Sequence, residues 1–157
     1  MSLNFSGVPN QLFNTSNESE DGMSGRRGKV DFWTCSGVHF DATNPDVNDI
    51  VKDSDEGFIT ATGNAITFVA NVNLPHGATI TKVKISGNAA AAAESYWLNR
   101  SLRDTIDVDV IATANINTAI SAVSNGTVDN ENYIYFFATS SLDAGDAIYG
   151  GSIEYIY

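Results

Sequence analysis

The run that decides the fold is Ile148-Tyr-Gly-Gly-Ser-Ile-Glu-Tyr-Ile-Tyr157, which alternates residue types and is rich in aromatic and β-branched side chains. This composition and period are typical of a strand with one buried face. Residues 79–86 show the same alternation, with Lys82 and Lys84 on one face and Val83 and Ile85 on the other. Successive side chains of a strand point to opposite faces, so we predict half-buried antiparallel strands.

Short runs of this kind recur along most of the chain and are separated by turn residues such as Gly63-Asn64 and Ser124-Asn-Gly126. The predicted strands are 30–33, 38–40, 58–62, 65–72, 79–86, 96–98, 106–112, 118–121, 133–138 and the final run. We therefore predict an all-β fold, an antiparallel two-sheet sandwich of the jelly-roll type, because stacked sheets cover their strand edges. An immunoglobulin-like sandwich is the alternative, although the chain lacks its Cys…Trp…Cys pattern.

Length and charge limit the function classes. The 157 residues suit one domain, and 43% hydrophobic residues suit a folded one. A net charge of −11 repels phosphate backbones, so we expect no nucleic-acid partner. No run has transmembrane length and the N-terminus lacks a signal-like apolar stretch, so we expect no membrane insertion. The assembly functions considered below imply a virion or extracellular location.

Residues 1–29 are predicted to form an N-terminal arm, and residues 30–157 the sandwich domain, because residues 14–25 are polar and rich in Gly and Ser. Two groups of arm residues are candidates for assembly contacts. These are the apolar Leu3, Phe5, Val8, Leu12 and Phe13 and the basic Arg26 and Arg27. The arm either packs on its own domain as an edge strand or reaches a neighbouring subunit, and the arginines either lie in a solvated turn or contact an acidic partner.

Residues 41–57 are predicted to form a long acidic loop, or a loop with one helical turn. Calcium binds carboxylate, amide and carbonyl oxygens, so Asp46, Asn48, Asp53 and Asp55 are candidate ligands. The spacing lacks the bidentate Glu of an EF-hand loop, and solvated turn residues are the alternative. We expect no other cofactor.

Catalytic residue types are few. The chain has two histidines and one cysteine, Cys35, and no nucleophile motif, so we predict that the protein is not an enzyme. His76 falls in a turn and His39 in a predicted strand, where structural roles are expected.

Aromatic residues could stack on sugar rings. Trp33, Tyr96 and Trp97 are candidates for such a surface, because amphipathic rings are common at binding surfaces. The alternative is that they pack in the core or against another subunit.

Three stretches carry a family resemblance. They are Val72-Asn-Leu-Pro-His-Gly-Ala-Thr-Ile-Thr81, Thr127-Val-Asp-Asn-Glu-Asn-Tyr133 and Ile148-Tyr-Gly-Gly-Ser-Ile-Glu-Tyr155. Together they resemble β-sandwich modules of phage structural proteins and secreted bacterial surface proteins. The resemblance implies a jelly-roll decoration or fibre domain that forms a homotrimer.

Three functions follow as hypotheses. The first is a structural protein, a capsid decoration (cement) protein that binds a repeating lattice through its arm and an oligomeric jelly roll. The second is an extracellular filament subunit joined by strand addition of the arm. The third is a carbohydrate-binding or receptor-binding β-sandwich module.

Overall fold

A computed structural model describes residues 28–43 and 49–157. Within these residues the chain forms ten strands and two short 3-10 helices, Gly37–His39 and Ala90–Ala93. The strands are β1 (Val30–Ser36), β2 (Asp41–Ala42), β3 (Ile50–Asp53), β4 (Phe58–Ala61), β5 (Phe68–Val72), β6 (Thr79–Gly87), β7 (Ser95–Leu102), β8 (Val108–Asn115), β9 (Tyr133–Thr139) and β10 (Ala147–Ile156). The predicted arm residues Leu3, Phe5, Val8, Leu12, Phe13, Arg26 and Arg27 lie outside the described residues.

The strands form two antiparallel sheets. In sheet A, β10 pairs with β6 along one edge and with β1 and β4 along the other, and β3 pairs with β4. In sheet B the order is β2-β5-β9-β7-β8. The chain crosses from sheet to sheet at β1 to β2, β2 to β3, β4 to β5, β5 to β6, β6 to β7 and β9 to β10, which is the winding of a jelly roll. The predicted fold class is therefore confirmed.

The core lies between the sheets and is centred on Phe137 of β9. The rings of Trp33, Phe40 and Tyr96 surround it, with centroid distances of 6.0, 6.3 and 6.3 Å. Phe40, Tyr96 and Phe137 are fully buried. Burying large side chains from both sheets is the main force that holds the sheets together, at about 1.5 to 3 kcal/mol for each one.

The predicted strand at residues 38–40 is wrong, since the chain forms the 3-10 helix Gly37–His39 there. The chain passes very close to β10 at this point, since a Cβ at Gly37 would lie 2.0 Å from the carbonyl oxygen of Ile148. The predicted acidic loop also contains two strands, since β2 pairs with β5 and β3 pairs with β4. Residues 118–121 contribute a single bridge, Ile120 to Val83, instead of a strand.

The strand predicted at residues 106–112 begins at Val108 instead, and its apolar residues do not all lie on one face of the sheet. Ile106 is 98% exposed, and Val108 and Val110 are also exposed. A β-bulge opposite Leu98 and Asn99 turns both Ile111 and Ala112 toward the core. The bulge therefore leaves two valines on the outer face of sheet B.

Candidate functional site

The outer face of sheet B is defined by the strands β5, β9, β7 and β8. Along β7, Tyr96 and Leu98 are buried in the core, so the intervening Trp97 and the following Asn99 point to the outside. The pairing register places the outer residues in three rows across the sheet. The rows are Thr113, Trp97, Ala138 and Val69; then Val110, Asn99, Phe136 and Asn71; then Val108, Ser101 and Ile134.

These rows carry no charged side chain, and most of their side chains are apolar, in a chain whose net charge is −11. Val108, Val110 and Ile134 expose 48%, 52% and 56% of their surface, while Trp97 and Phe136 are half-buried. Scattered exposed apolar side chains are ordinary, but a contiguous patch with aromatic residues marks a binding surface. The outer face of sheet B therefore has the character of an interaction site.

Asn99 lies at the centre of this face. It is only 6% exposed, and its Oδ1 atom is buried with no hydrogen-bond partner. No other buried side-chain oxygen or nitrogen in residues 28–43 and 49–157 lacks a partner. An unpaired buried acceptor costs about 1 to 3 kcal/mol, so such groups are rare and call for an explanation.

A cleft of about 550 Å³ adjoins the face at the start of β9. Asn71 and Ile134 belong to both, and Asn73, Arg103 and Asn130 also line the cleft. The Arg103 guanidinium lies 3.5 and 3.4 Å from the carbonyl oxygens of Asn130 and Glu131, which are long contacts. The cleft thus adds amide and guanidinium groups at one end of an uncharged face.

The loop beside this cleft is held by Asp129. Its carboxylate accepts a hydrogen bond from the Asn132 side chain at 2.7 Å, which lowers the pKa of Asp129. The Tyr135 hydroxyl accepts the Asp129 backbone N–H at 2.8 Å, and burial raises the pKa of Tyr135. His76 Nδ1 accepts the Asn130 N–H at 3.1 Å, so this histidine makes a loop contact.

Arg100 fastens the same end of the sandwich. Its Nε and Nη2 donate to Asp109 Oδ2 at 3.1 and 2.9 Å, and its guanidinium carbon lies 4.2 Å from the centroid of the Tyr133 ring. The guanidinium is paired with a carboxylate and stacked on an aromatic ring, so Arg100 links β7, β8 and β9.

A second cleft, of about 400 Å³, lies between β1 and β5 and is lined by Trp33, Cys35, His39 and Asp41 among others. Burial raises the pKa of the Cys35 thiol, which makes this cysteine a poor nucleophile. His39 Nδ1 lies 2.9 Å from the Ser36 hydroxyl.

The three aromatic residues predicted to share a surface are divided among three places. The prediction that Tyr96 lies on a surface is wrong, since this side chain is fully buried and its hydroxyl lies within hydrogen-bond distance of two backbone carbonyl oxygens. Trp33 packs against Phe137 from the inner side of β1, and Trp97 alone reaches the outer face of sheet B. Asn99 and Phe136 are not among the site residues predicted from the sequence. The sequence signal for them is the period of two residues in a strand. Asn99 follows Trp97 by two residues, and Phe136 lies between Tyr135 and Phe137 and so points to the opposite face from both.

The candidate calcium ligands are only partly described. Asp46 and Asn48 lie outside the described residues, and Asp53 Oδ1 accepts the N–H groups of Asp55 and Glu56 at 3.0 and 2.9 Å. These bonds fix a turn. Across residues 28–43 and 49–157, no group of three or more His, Cys, Asp or Glu is arranged to hold a metal ion. The calcium site stays a prediction.

Among the described residues, no helix has the length and hydrophobicity needed to span a bilayer.

No protein-family model matches the chain, and no curated protein matches it. Two solved structures are similar to it. The C-terminal CBM6 of LamC, a marine laminarinase from Zobellia galactanivorans, is 15% identical with a TM-score of 0.44, over 78% of this chain and 98% of that one. The xylan-binding module CBM15 is 12% identical with a TM-score of 0.46, over 82% of this chain and 97% of that one. Similarity at this level does not bear on the ligand of this chain.

Proposed function

We propose that this chain is a carbohydrate-binding β-sandwich module that takes a neutral glycan on the outer face of sheet B. One observation carries the proposal: the half-buried aromatic residues Trp97 and Phe136 lie in neighbouring rows of an uncharged face that also exposes the Asn71 amide. A sugar offers both an apolar C–H face and hydroxyl donors. Ligand sites combine apolar and aromatic side chains with a few placed polar groups in the same way.

The dimensions of the face suit a stretch of polysaccharide. The middle row, from Val110 through Asn99 and Phe136 to Asn71, crosses four strands, or about 14 Å at the usual strand spacing. The rows carry no cation, and the acidic chain repels anionic polymers, so neutral sugars are favoured. Polysaccharides of this kind would place the protein outside the cell.

The proposal rests on these side chains, and the two modules described above contribute only the choice of probes. Laminarin, xylan and a wider panel of neutral polysaccharides would be tested by affinity electrophoresis and calorimetry. Trp97→Ala should weaken binding by roughly tenfold or more, because it removes the larger aromatic ring of the face. Phe32→Ala is the matched control, since Phe32 is 61% exposed on the outer face of sheet A.

The two variants separate the outcomes. Loss of binding with Trp97→Ala and unchanged binding with Phe32→Ala would support the site. The proposal fails if no polysaccharide binds the wild-type chain, or if binding survives Trp97→Ala.

A second candidate function is supported by sheet A, whose outer face exposes Val30, Phe32, Val51 and Tyr149 at 48, 61, 54 and 52%. Among the described residues β1 pairs only with β10, so its other edge is open to a partner strand. These features favour a decoration or filament subunit, with a homotrimer as one expected form. Light scattering after size exclusion, on the full chain and on a chain beginning at Gly28, would test it. A monomer at every concentration would argue against assembly.

A further inference from the structure

We propose that the second cleft, between β1 and β5, extends the glycan site, so that a polysaccharide chain on the outer face of sheet B passes over the edge of β5 and reaches Trp33. The inference rests on the proposed function and deepens it. The ligand is then a long, neutral polysaccharide chain, and short oligosaccharides fill only part of the site.

The outer face of sheet B and the second cleft share residues. Val69 and Asn71 end the first two rows of the face, and both also line the second cleft. Asn73, two residues beyond Asn71, lines the cleft as well. A chain that follows the middle row toward β5 therefore enters the second cleft without leaving the protein surface.

The edge of β5 is open where the middle row reaches it. β2 pairs with β5 only at Phe68 and Val69, while β9 pairs along the opposite edge. Among the described residues, no strand covers the rest of β5 on the side of β2. A ligand that crosses the sheet at Asn71 therefore meets no further strand.

The second cleft offers a sugar both an aromatic ring and hydrogen-bonding groups. Trp33 is half-buried, and its ring lines the cleft while packing on Phe137 at a centroid distance of 6.0 Å. Asn71 and Asn73 are exposed, and neither side-chain amide makes a hydrogen bond within the described part of the chain. An amide both donates and accepts hydrogen bonds, as a sugar hydroxyl does. The cleft therefore combines the two kinds of contact that a sugar needs.

The charges of the second cleft favour a neutral ligand. Its one carboxylate, Asp41, accepts a hydrogen bond from Lys52 at 2.6 Å. Among the described residues that line the cleft, none is a lysine or an arginine. An anionic sugar would therefore lose hydration there without gaining a cationic partner.

The combined path is longer than the face alone. The middle row spans about 14 Å, and the step from β5 to β1 adds about 10 Å, the usual distance between stacked sheets. A trisaccharide can bind on the face alone, whereas an octasaccharide extends to Trp33. A longer chain also has more ways to bind, so the comparison that matters is between variants.

The first measurement is calorimetry with a trisaccharide and an octasaccharide from the laminari- and xylo-oligosaccharide series. Asn73→Ala should weaken binding of the octasaccharide by roughly threefold to tenfold and leave the trisaccharide unchanged, because the amide contacts only the extended chain. Ser121→Ala is the matched control and should weaken neither. Ser121 is an exposed polar residue that follows the bridge from Ile120 to β6, and β6 and β1 flank β10 on opposite sides.

The second measurement is tryptophan fluorescence. The chain has two tryptophans, Trp33 and Trp97. In Trp97→Phe an aromatic ring remains on the face, and Trp33 is the sole tryptophan. A saturating octasaccharide should change the Trp33 emission, and a saturating trisaccharide should change it much less.

The outcomes separate the two proposals. If neither oligosaccharide binds the wild type, the proposed function and this inference both fail. If the octasaccharide binds and Trp97→Ala weakens it, but Asn73→Ala and Ser121→Ala bind it equally well, only the inference fails. Unchanged Trp33 emission at saturation also overturns the inference, even with an affinity loss in Asn73→Ala, because Asn73 lines the cleft beside Arg103 as well.

Discussion

The hydroxyl of Tyr96 lies 2.9 Å from the carbonyl oxygen of Val83, so a side chain of sheet B bonds to the backbone of sheet A through the core. The same hydroxyl lies 2.8 Å from the carbonyl oxygen of Thr118. Tyr96 immediately precedes Trp97 on β7. The bond therefore fixes, from the inner side, the strand that carries the aromatic and amide groups of the outer face.

Tyr96→Phe should lower the free energy of unfolding by about 0.5 to 1.5 kcal/mol, because it removes a buried hydrogen bond while the Val83 carbonyl oxygen still accepts the Ile120 N–H. Chemical denaturation of the variant and of wild type would measure the difference. Tyr149→Phe is a suitable control, since Tyr149 is 52% exposed and the hydroxyl remains solvated in both states. Equal loss in both variants would contradict the role assigned to the Tyr96 bond.

Alkaline pH should destabilise the protein through the same side chain. Burial raises the pKa of Tyr96 to about 12, above its ordinary value of 10.0. Between these values the unfolded chain releases a proton that the folded chain keeps, so stability falls as pH rises, by at most about 1.4 kcal/mol per pH unit. Below pH 10 this contribution is fully retained. The slope of unfolding free energy against pH should be shallower for Tyr96→Phe, and an unchanged slope would assign the effect to other groups.

Asp109→Ala should cost about 1 to 2 kcal/mol of stability, since the Arg100 side chain is only 15% exposed and would lose its carboxylate partner. Asp41→Ala breaks the Lys52–Asp41 pair, whose side chains are 36% and 75% exposed, and should cost less than about 0.5 kcal/mol. Thermal unfolding at low and high salt would compare them. A larger loss of stability in Asp41→Ala than in Asp109→Ala would contradict the expectation that the less exposed Arg100–Asp109 pair contributes more.

Gly37→Ala should destabilise the fold by about 3 kcal/mol or more, because the added Cβ meets the Ile148 carbonyl oxygen at 2.0 Å and backbone cannot move aside easily. Gly77→Ala offers a comparison without a clash, since nothing lies within 4 Å of its Cβ position. Its φ of +82° still makes alanine unfavourable, by about 1 to 2 kcal/mol. Expression and denaturation would rank the two variants, and similar costs would show that β10 shifts to accommodate Gly37→Ala.

Glycan binding on the outer face of sheet B should be nearly independent of salt. The three rows contain no charged side chain, so screening has no ion pair to weaken. Calorimetry with a bound oligosaccharide at low and high sodium chloride should show a change in affinity of less than about twofold. A steep salt dependence would show that charged groups take part in binding and would contradict the placement on this face.

The long alternating strands could be predicted from the sequence, while the site could not. β6, β9 and β10 lie close to their predicted bounds, because one buried face imposes a period of two. The bulge at Ile111 and the crossing at Gly37 depend on partners distant in sequence, so local periodicity misplaced both. Tyr96 and Trp97 look alike in the sequence, and only the register of β7 sends one ring into the core and the other outward.

β10 pairs with three strands, β1, β4 and β6, and occupies the middle of sheet A. Its residues, Ala147–Ile156, come after every strand that they join. During synthesis, β1 and β6 therefore have no shared neighbour until these residues have left the ribosome. Sheet A therefore cannot be completed before β10 is available, and the apolar faces of the strands that precede it stay without their central partner until then.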